Sequence, residues 1–321
     1  MVVYHKAFPA HIDYIKFLLT QPGKFNCSRM AACLKTRAHD GLTRMLHQKK
    51  PWTLLLRLFV TNLIANLFGD LIIDDTVIHK PHSKASRLIG EIIRWTWSSS
   101  DGKPVKGISV VLLLLRIGKL RLPIGFRIYD GSRSKIDLAM DMLSDFRNQH
   151  CRNTATVLFD SWYSANRLLK RIDDYGWRFV CRIKRNRNFN DVNIKCAIKT
   201  PYGSSIGTVG KVKVRLVKHR KHLIITNRIS LVPVEVRKLY LKRSQIEEVF
   251  KILKSQFHLS DCQSRLKAVW EAHICLCMSG FAAVEFKNGP SGVTIYKARL
   301  SLNLQDYEPE LNLLQRLWDS A

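Results

Sequence analysis

Four residues of "YLKRSQIEEVFKILK", residues 240–254, carry the first chemical signal. An α-helix turns by about 100° per residue. On that count Tyr240, Arg243, Glu247 and Lys254 share one narrow stripe. Val249, Ile252 and Leu253 point to the other side and can pack. The stripe sets one carboxylate amid two cations and a phenol, a group suited to holding phosphates around an acid. Two further acids close apolar runs, Asp74 after "LII" and Asp160 after "VLF". Carboxylates at the ends of buried strands lie where ligands bind in α/β sheets. An unpaired buried carboxylate is costly, and a hard divalent cation bound through oxygen relieves that cost. Two such ions can activate water and stabilise the leaving oxygen in phosphodiester cleavage. Singly, a strand-end Asp reads as a turn residue and a helical Glu near an Arg as a surface pair. The combination is what points to chemistry.

The charge of the chain suggests the substrate. Its 321 residues include 53 Lys and Arg against 25 Asp and Glu, a formal net charge of +28. A polyanion neutralises such self-repulsion and releases counterions, so nucleic acid is the expected partner rather than a small-molecule substrate. A membrane surface is the rival polyanion, but no basic amphipathic helix with a clean lipid face is evident. A ribosomal or packaging protein shares the charge, yet needs neither 46% hydrophobic residues nor these acids. The opening "MVVYHKAFPAHIDY" lacks the apolar stretch of a signal peptide. The runs "LLLRLFVTNLIANLF" and "ICLCMSGFAAVEF" read as too short or too polar to span a bilayer. The 8 cysteines include no CxxC, so reduced, mostly buried thiols in a cytosolic protein are expected.

The elements that must position the acids follow from periodicity. Residues 1–68 show helical spacing, a helical N-terminal region read either as a DNA-end-binding bundle or as a cap on the core. Residues 69–185 read strand, strand, strand, helix, strand, helix, strand. Gly118–Lys119 turns between the second and third strands, Ser132 or Ser134 opens the first helix, and Ser164 and Gly176 bound the second. The result is an α/β fold, a mixed sheet flanked by helices. Residues 186–232 form a β-rich insertion, in which Lys211, Lys213 and Arg215 share one strand face as a phosphate-tracking surface. Residues 233–290 return to the core with one helix from Pro233 to about Leu259 and a second, buried one. Residues 291–321 form a C-terminal tail with an amphipathic helix for partner contact or packing. Secondary site candidates are Asp75, Lys80, and the alternating Arg182 and Lys184. Trp95 and Trp97 alternate and read as strand or core aromatics.

The pattern Y-x2-R-x3-E-x6-K, filled without a gap by Tyr240, Arg243, Glu247 and Lys254, resembles the signature of bacterial insertion-sequence transposases of the DDE type, in the group named for Y-R-E-K. In that group the first acid is followed by any residue and then Ser or Thr, which "DDT" matches with Asp74, leaving Asp75 as the fallback. Asp160 in "LFDSWYS" sits where the second acid is found. The resemblance covers about residues 71–290. It implies an RNase H-like catalytic fold interrupted by the β-rich insertion, with Asp74, Asp160 and Glu247 catalytic and holding two Mg²⁺ ions that Mn²⁺ can replace. It also implies cutting of double-stranded DNA at terminal inverted repeats and strand transfer of the freed 3′-hydroxyl into target DNA. Tyr240, Arg243 and Lys254 would contact DNA-end phosphates, and two copies would hold two ends, in the cytoplasm at the nucleoid. The rival readings are a non-catalytic or decayed DNA-binding protein and an RNase H-like nuclease without strand transfer.

Overall fold

The computed structural model describes residues 10–320 apart from 22, 35–37, 65–67, 87, 99–100 and 151–154. Four helices open it: α1 (Ala10–Thr20), α2 (Cys27–Leu34), α3 (His39–Leu46) and α4 (Trp52–Leu63). Then follow β1 (Asp70–His79), β2 (Arg94–Ser98), β3 (Lys103–Ile117), β4 (Leu120–Tyr129), α5 (Lys135–Gln149), β5 (Thr156–Phe159), α6 (Asn166–Asp174) and β6 (Arg178–Arg182). The next segment holds β7 (Asn188–Phe189), β8 (Val192–Asn193), α7 (Ile194–Ala197), β9 (Tyr202–Val209), β10 (Val212–His219) and β11 (His222–Thr226). The chain closes with α8 (Pro233–Leu241), α9 (Gln245–Gln256), α10 (Lys267–Asn288), α11 (Ile295–Leu300) and α12 (Glu308–Asp319).

A mixed sheet carries the molecule. Its strand order is β2-β3-β1-β5-β6-β11-β10-β9, with β4 also paired to β3. β1 lies antiparallel to β3 from Asp70↔Arg116 to His79↔Gly107. It lies parallel to β5 only from Asp70↔Thr156 to Ile73↔Phe159. Helices cover the sheet, which is why Leu71, Ile72 and Ile73 form a continuous buried run rather than an alternating one. β1 therefore does not stop at Asp74: β3 is long enough to go on pairing it through Thr76, Val77 and Ile78. The strands of the 186–232 segment form no separate sheet of their own beyond the short β7–β8 pair; β11, β10 and β9 extend the central sheet from β6.

Helix ends follow local chemistry in part. Ser134 caps α5 in a reciprocal box with Asp137. Ser164 does not cap α6, whose N-cap is Ala165; the Ser164 hydroxyl instead bonds Ser161 O at 2.7 Å inside the preceding 3₁₀ turn. Gly176 follows α6 at φ 70°, a left-handed position that glycine occupies without strain. The helix expected from Pro233 to Leu259 is two helices, α8 and α9, joined by a tightened 3₁₀ turn at Lys242–Ser244. Two side-chain tethers accompany that turn: Lys242 Nζ reaches Asp70 at 3.1 Å, and Arg116 Nε reaches Gln245 Oε1 at 2.9 Å.

The core centres on α10, whose residues from Ala272 to Glu285 are all buried. Its 22 residues are long and apolar enough to cross a membrane by length and composition, but 89% of that stretch is buried inside the protein. The N-terminal helices pack on it: the Tyr14 hydroxyl bonds His273 Nδ1 at 2.7 Å in the buried interior. The tail helix α12 buries Leu311, Leu314 and Trp318, with Trp318 edge-on to Trp52. The 7 described cysteines are free, and Cys181, Cys275 and Cys277 are the buried ones, fewer than the sequence suggested. At the far end of α10, Glu285, 1% exposed, accepts bonds from Arg121 N, Nε and Nη2 at 3.1, 2.7 and 3.1 Å. The same Arg121 holds Glu248 of α9 at 2.8 Å, so one guanidinium ties β4, α9 and α10 together. Removing one partner of a buried pair strands the other charge. Glu285→Ala is expected to lower unfolding free energy by about 3 kcal/mol in urea denaturation; a loss below about 1 kcal/mol would mean that the pair does not hold α10 in place.

Candidate active site

The two strand acids meet because of where the parallel pairing stops. Ile73↔Phe159 is the last β1–β5 pair, so Asp74 and Asp160 are the next residues on neighbouring strands. Asp160 leaves the sheet at the start of the 3₁₀ turn Ser161–Tyr163 with no capping bond from its side chain. Side chains alternate across β1, and this separates Asp74 from Asp75. Asp75 accepts Lys135 Nζ at 2.6 Å, the Tyr163 hydroxyl at 2.9 Å and Ser109 Oγ at 3.4 Å. These partners tie Asp75 to α5 and the 3₁₀ turn rather than to the helix stripe.

The helix stripe folds over the two acids. Arg243 Nη1 donates to Asp74 Oδ2 at 2.6 Å, and its Nη2 bonds Glu247 Oε1. The Tyr240 hydroxyl lies 3.5 Å from Asp160 Oδ1. Lys254 sits a further two turns along α9 and donates to Val77 O at 2.8 Å. The stripe thus survives the 3₁₀ break, with Tyr240 on α8, Arg243 in the turn, and Glu247 and Lys254 on α9. In the protein alone, Arg243 and Tyr240 hold the acids themselves.

Burial pushes Asp74 up to about 7, with Asp75 and Asp160 adding to it while Arg243 pulls the other way. Burial also works against the Arg243 proton, but the charge of Asp74 leads the acids around it in holding the guanidinium above its ordinary range. Burial pushes the Tyr240 phenol up to about 12, so it remains a donor at neutral pH. Lys254 is lowered by burial.

Among the described residues, no three His, Cys, Asp or Glu side chains gather into a ready-made metal-holding group. A single guanidinium instead spans Asp74 and Glu247. That observation bears on the fit of a divalent ion. The donor set is all hard oxygen, as Mg²⁺ prefers, and a cation is already accommodated between two of the acids. The residues fit, provided Arg243 moves off the carboxylates.

The secondary candidates divide. Arg182 belongs to the rim: its guanidinium lies 5.7 Å over the Tyr240 ring and its Nη2 meets His222 Nδ1. Lys184 lies 4.5 Å over the ring of Trp162, two residues after Asp160 and 57% exposed. Lys80 points away, donating to Ser260 O and Cys262 O at 2.9 and 2.7 Å beneath Trp270, so it is a structural cation. Lys211 and Lys213 are exposed at the start of β10. Arg215 on the same strand is engaged by Ile229 O at 2.8 Å and Ser204 Oγ at 3.2 Å. Sequence reasoning missed Trp162, whose only signal was a large aromatic next to a strand-end acid. It also missed the tethers Asp70–Lys242 and Arg116–Gln245, which lie too far apart in the chain to be read as pairs. A cavity of about 490 Å³ lined by Lys50, Arg57, Asp145 and Glu271 contains none of the site's acids.

The profile of the transposase DDE domain family matches residues 68–279, which include Asp74, Asp160 and the whole stripe. No curated protein matches the chain. Among solved structures, a piggyBac transposase determined by cryo-electron microscopy as a synaptic complex with hairpin DNA superposes with a TM-score of 0.57 at 11% identity. The match covers 97% of this chain and 72% of that one, and at this identity it speaks for the fold, RNase H-like with a mixed sheet between helices.

A carboxyl group raised in the folded state favours its neutral form there. Its stabilising effect is full below the unfolded value, near 3.8, and is lost as pH rises through about 7. In metal-free buffer, Asp74→Asn is therefore expected to melt higher than the wild type, by a margin that widens from pH 4 to pH 8. A margin that narrows over that range would mean that the ion pair with Arg243 outweighs burial.

Proposed function

The chain belongs to the transposase DDE domain family, and from that premise we propose that it cuts double-stranded DNA at terminal inverted repeats and joins the freed 3′-hydroxyl to target DNA. The observation that carries this reading is the meeting of Asp74 and Asp160 at the end of the β1–β5 pairing, with Glu247 linked to Asp74 through Arg243. Asp74, Asp160 and Glu247 are the residues that would hold Mg²⁺ or Mn²⁺. When bound, two such ions supply activation of an attacking oxygen and stabilisation of a leaving one. The protein's own share is positional. The β1 and β5 backbones fix two carboxylates side by side. The tethers to Asp70 and Gln245 fix the turn that presents Arg243. Arg243, released from the acids, and Tyr240, a permanent donor, would bind phosphate oxygens flanking the scissile bond. Hydrolysis breaks one phosphodiester and leaves a 3′-hydroxyl. Attack of that hydroxyl on a target phosphodiester forms a new one and releases a new 3′-hydroxyl.

The exposed Lys211 and Lys213 would add sequence-independent phosphate contacts, and the net charge of +28 supports a duplex as the ligand. The neighbour's description as a synaptic complex with hairpin DNA supports a homodimer that holds two ends.

Cleavage of a labelled duplex carrying the DNA that flanks this gene tests the reading. Nicking is expected only with Mg²⁺ or Mn²⁺, and Asp160→Ala or Glu247→Ala should reduce it by roughly three orders of magnitude with DNA binding retained. Full cleavage by Glu247→Ala would overturn the assignment, and nicks without joined products would favour a nuclease. Arg243→Gln is expected to bind Mn²⁺ more tightly in free protein, by electron paramagnetic resonance titration, and duplex DNA less tightly. Unchanged Mn²⁺ affinity would show that Arg243 does not compete for the acids.

A further inference from the structure

The acids and the stripe leave one conspicuous surface without a role, the outer edge of the sheet at β2. Trp52, Trp177, Trp270 and Trp318 are buried, whereas Trp95 and Trp97 on β2 are 59% and 61% exposed. A tryptophan left in water forgoes a large apolar burial, and two of them at alternate positions of one strand share a face. β2 pairs with the opening of β3, placing Lys106 directly opposite Trp95 and Pro104 directly opposite Trp97. The β1–β3 register ends at His79↔Gly107, so the strands beyond it form a two-stranded ribbon. One face of this ribbon therefore interleaves two indoles with a cation.

That face points the same way as the acids. Positions 106, 108, 110 and 112 of β3 lie on one side of the sheet, and Leu112 is paired with Asp74. The ribbon also continues from the Lys254 end of α9. Lys254 bonds Val77 O at 2.8 Å, and two residues further along β1 His79 pairs with Asp101 at 3.2 Å. Asp101 in turn bonds Ser98, the neighbour of Trp97.

Spacing selects the ligand. Side chains two apart on a strand are separated by about 6.6 Å, while neighbouring bases along a duplex strand are about 3.4 Å apart. The two indoles thus match bases that are not stacked on each other. A second copy of this +28 chain would meet a cationic face, whereas a nucleic-acid strand brings the complementary charge.

We propose that the β2–β3 ribbon is a docking surface for single-stranded DNA on the acid-bearing side of the sheet, about 20 Å along β3 from Asp74, with Trp95 and Trp97 stacking on bases and Lys106 against phosphates. Its occupant rests on the reading of this chain as a DNA enzyme; its location rests on the exposed indoles alone. Aromatic stacking serves every base, so the surface would hold a strand by its chemistry rather than its sequence.

The test is fluorescence anisotropy of the full chain with a labelled oligothymidylate and with a mixed-sequence duplex, both in EDTA. Trp95→Ala/Trp97→Ala is expected to bind the single strand about tenfold or more weakly, and Trp95→Phe/Trp97→Phe to recover most of it. Duplex affinity should change by less than about twofold, because phosphate contacts elsewhere dominate it. Unchanged single-strand affinity in the alanine variant would overturn the proposal. So would a variant that loses self-association in sedimentation while holding the strand normally, since the ribbon would then be a contact between copies. Should the alanine variant melt early, photo-crosslinking of a 5-bromouracil oligonucleotide to wild-type protein decides: attachment at Trp95 or Trp97 supports the surface, and attachment only elsewhere removes it. Because these measurements omit metal, a failure of DNA cleavage would remove the catalytic reading and leave the ribbon's result standing.

Discussion

The guanidinium of Arg243 lies between Asp74 and Glu247, and the site is organised around that one charge. Asp74 is buried beside Asp160 and next in sequence to Asp75, so an ionised carboxylate there faces both desolvation and like charge. A cation must sit among these acids if they are to be ionised together. In the protein alone, Arg243 is that cation, and Tyr240 caps the third acid from the side. The arrangement explains why an acid and a base four residues apart on an exposed helix edge are more than a surface pair. The second partner of Arg243, Asp74, comes from 169 residues earlier in the chain.

The fold exists to hold this geometry against competing pulls. The parallel β1–β5 pairing fixes two carboxylates, the 3₁₀ turn delivers Arg243, and Arg121 locks α9 to α10 through Glu248 and Glu285. None of these contacts touches a phosphate, yet each sets where phosphate ligands would stand.

Much of this was legible in the sequence, for identifiable reasons. The order of strands and helices from 69 to 185 follows from periodicity, and Asp160 reads as a strand end because it closes the short apolar run of "TATVLFD". Asp74 was harder. "LIIDDTVIH" gives no local sign of whether the strand stops at the acids or runs through them, because the answer depends on the length of β3, a distant partner. The choice between Asp74 and Asp75 depended on which face meets α5 and which meets α9. The break between α8 and α9 contains neither Pro nor Gly and left no mark. Trp95 and Trp97 read as strand or core aromatics; both lie on a strand but outside the core, because alternation cannot tell an edge strand facing water from one facing a core. The merging of β9–β11 with the central sheet was likewise invisible, since strand pairing across 40 or more residues has no local signature.

The account turns on whether the three acids exchange an internal cation for metal ions when DNA arrives. The most direct measurement is anomalous X-ray scattering from crystals of the full chain bound to an end duplex in Mn²⁺. Manganese peaks enclosed by residues 74, 160 and 247, with the Arg243 guanidinium moved onto a phosphate, are the predicted result. Arg243 still bridging Asp74 and Glu247, with no manganese beside them, would contradict it.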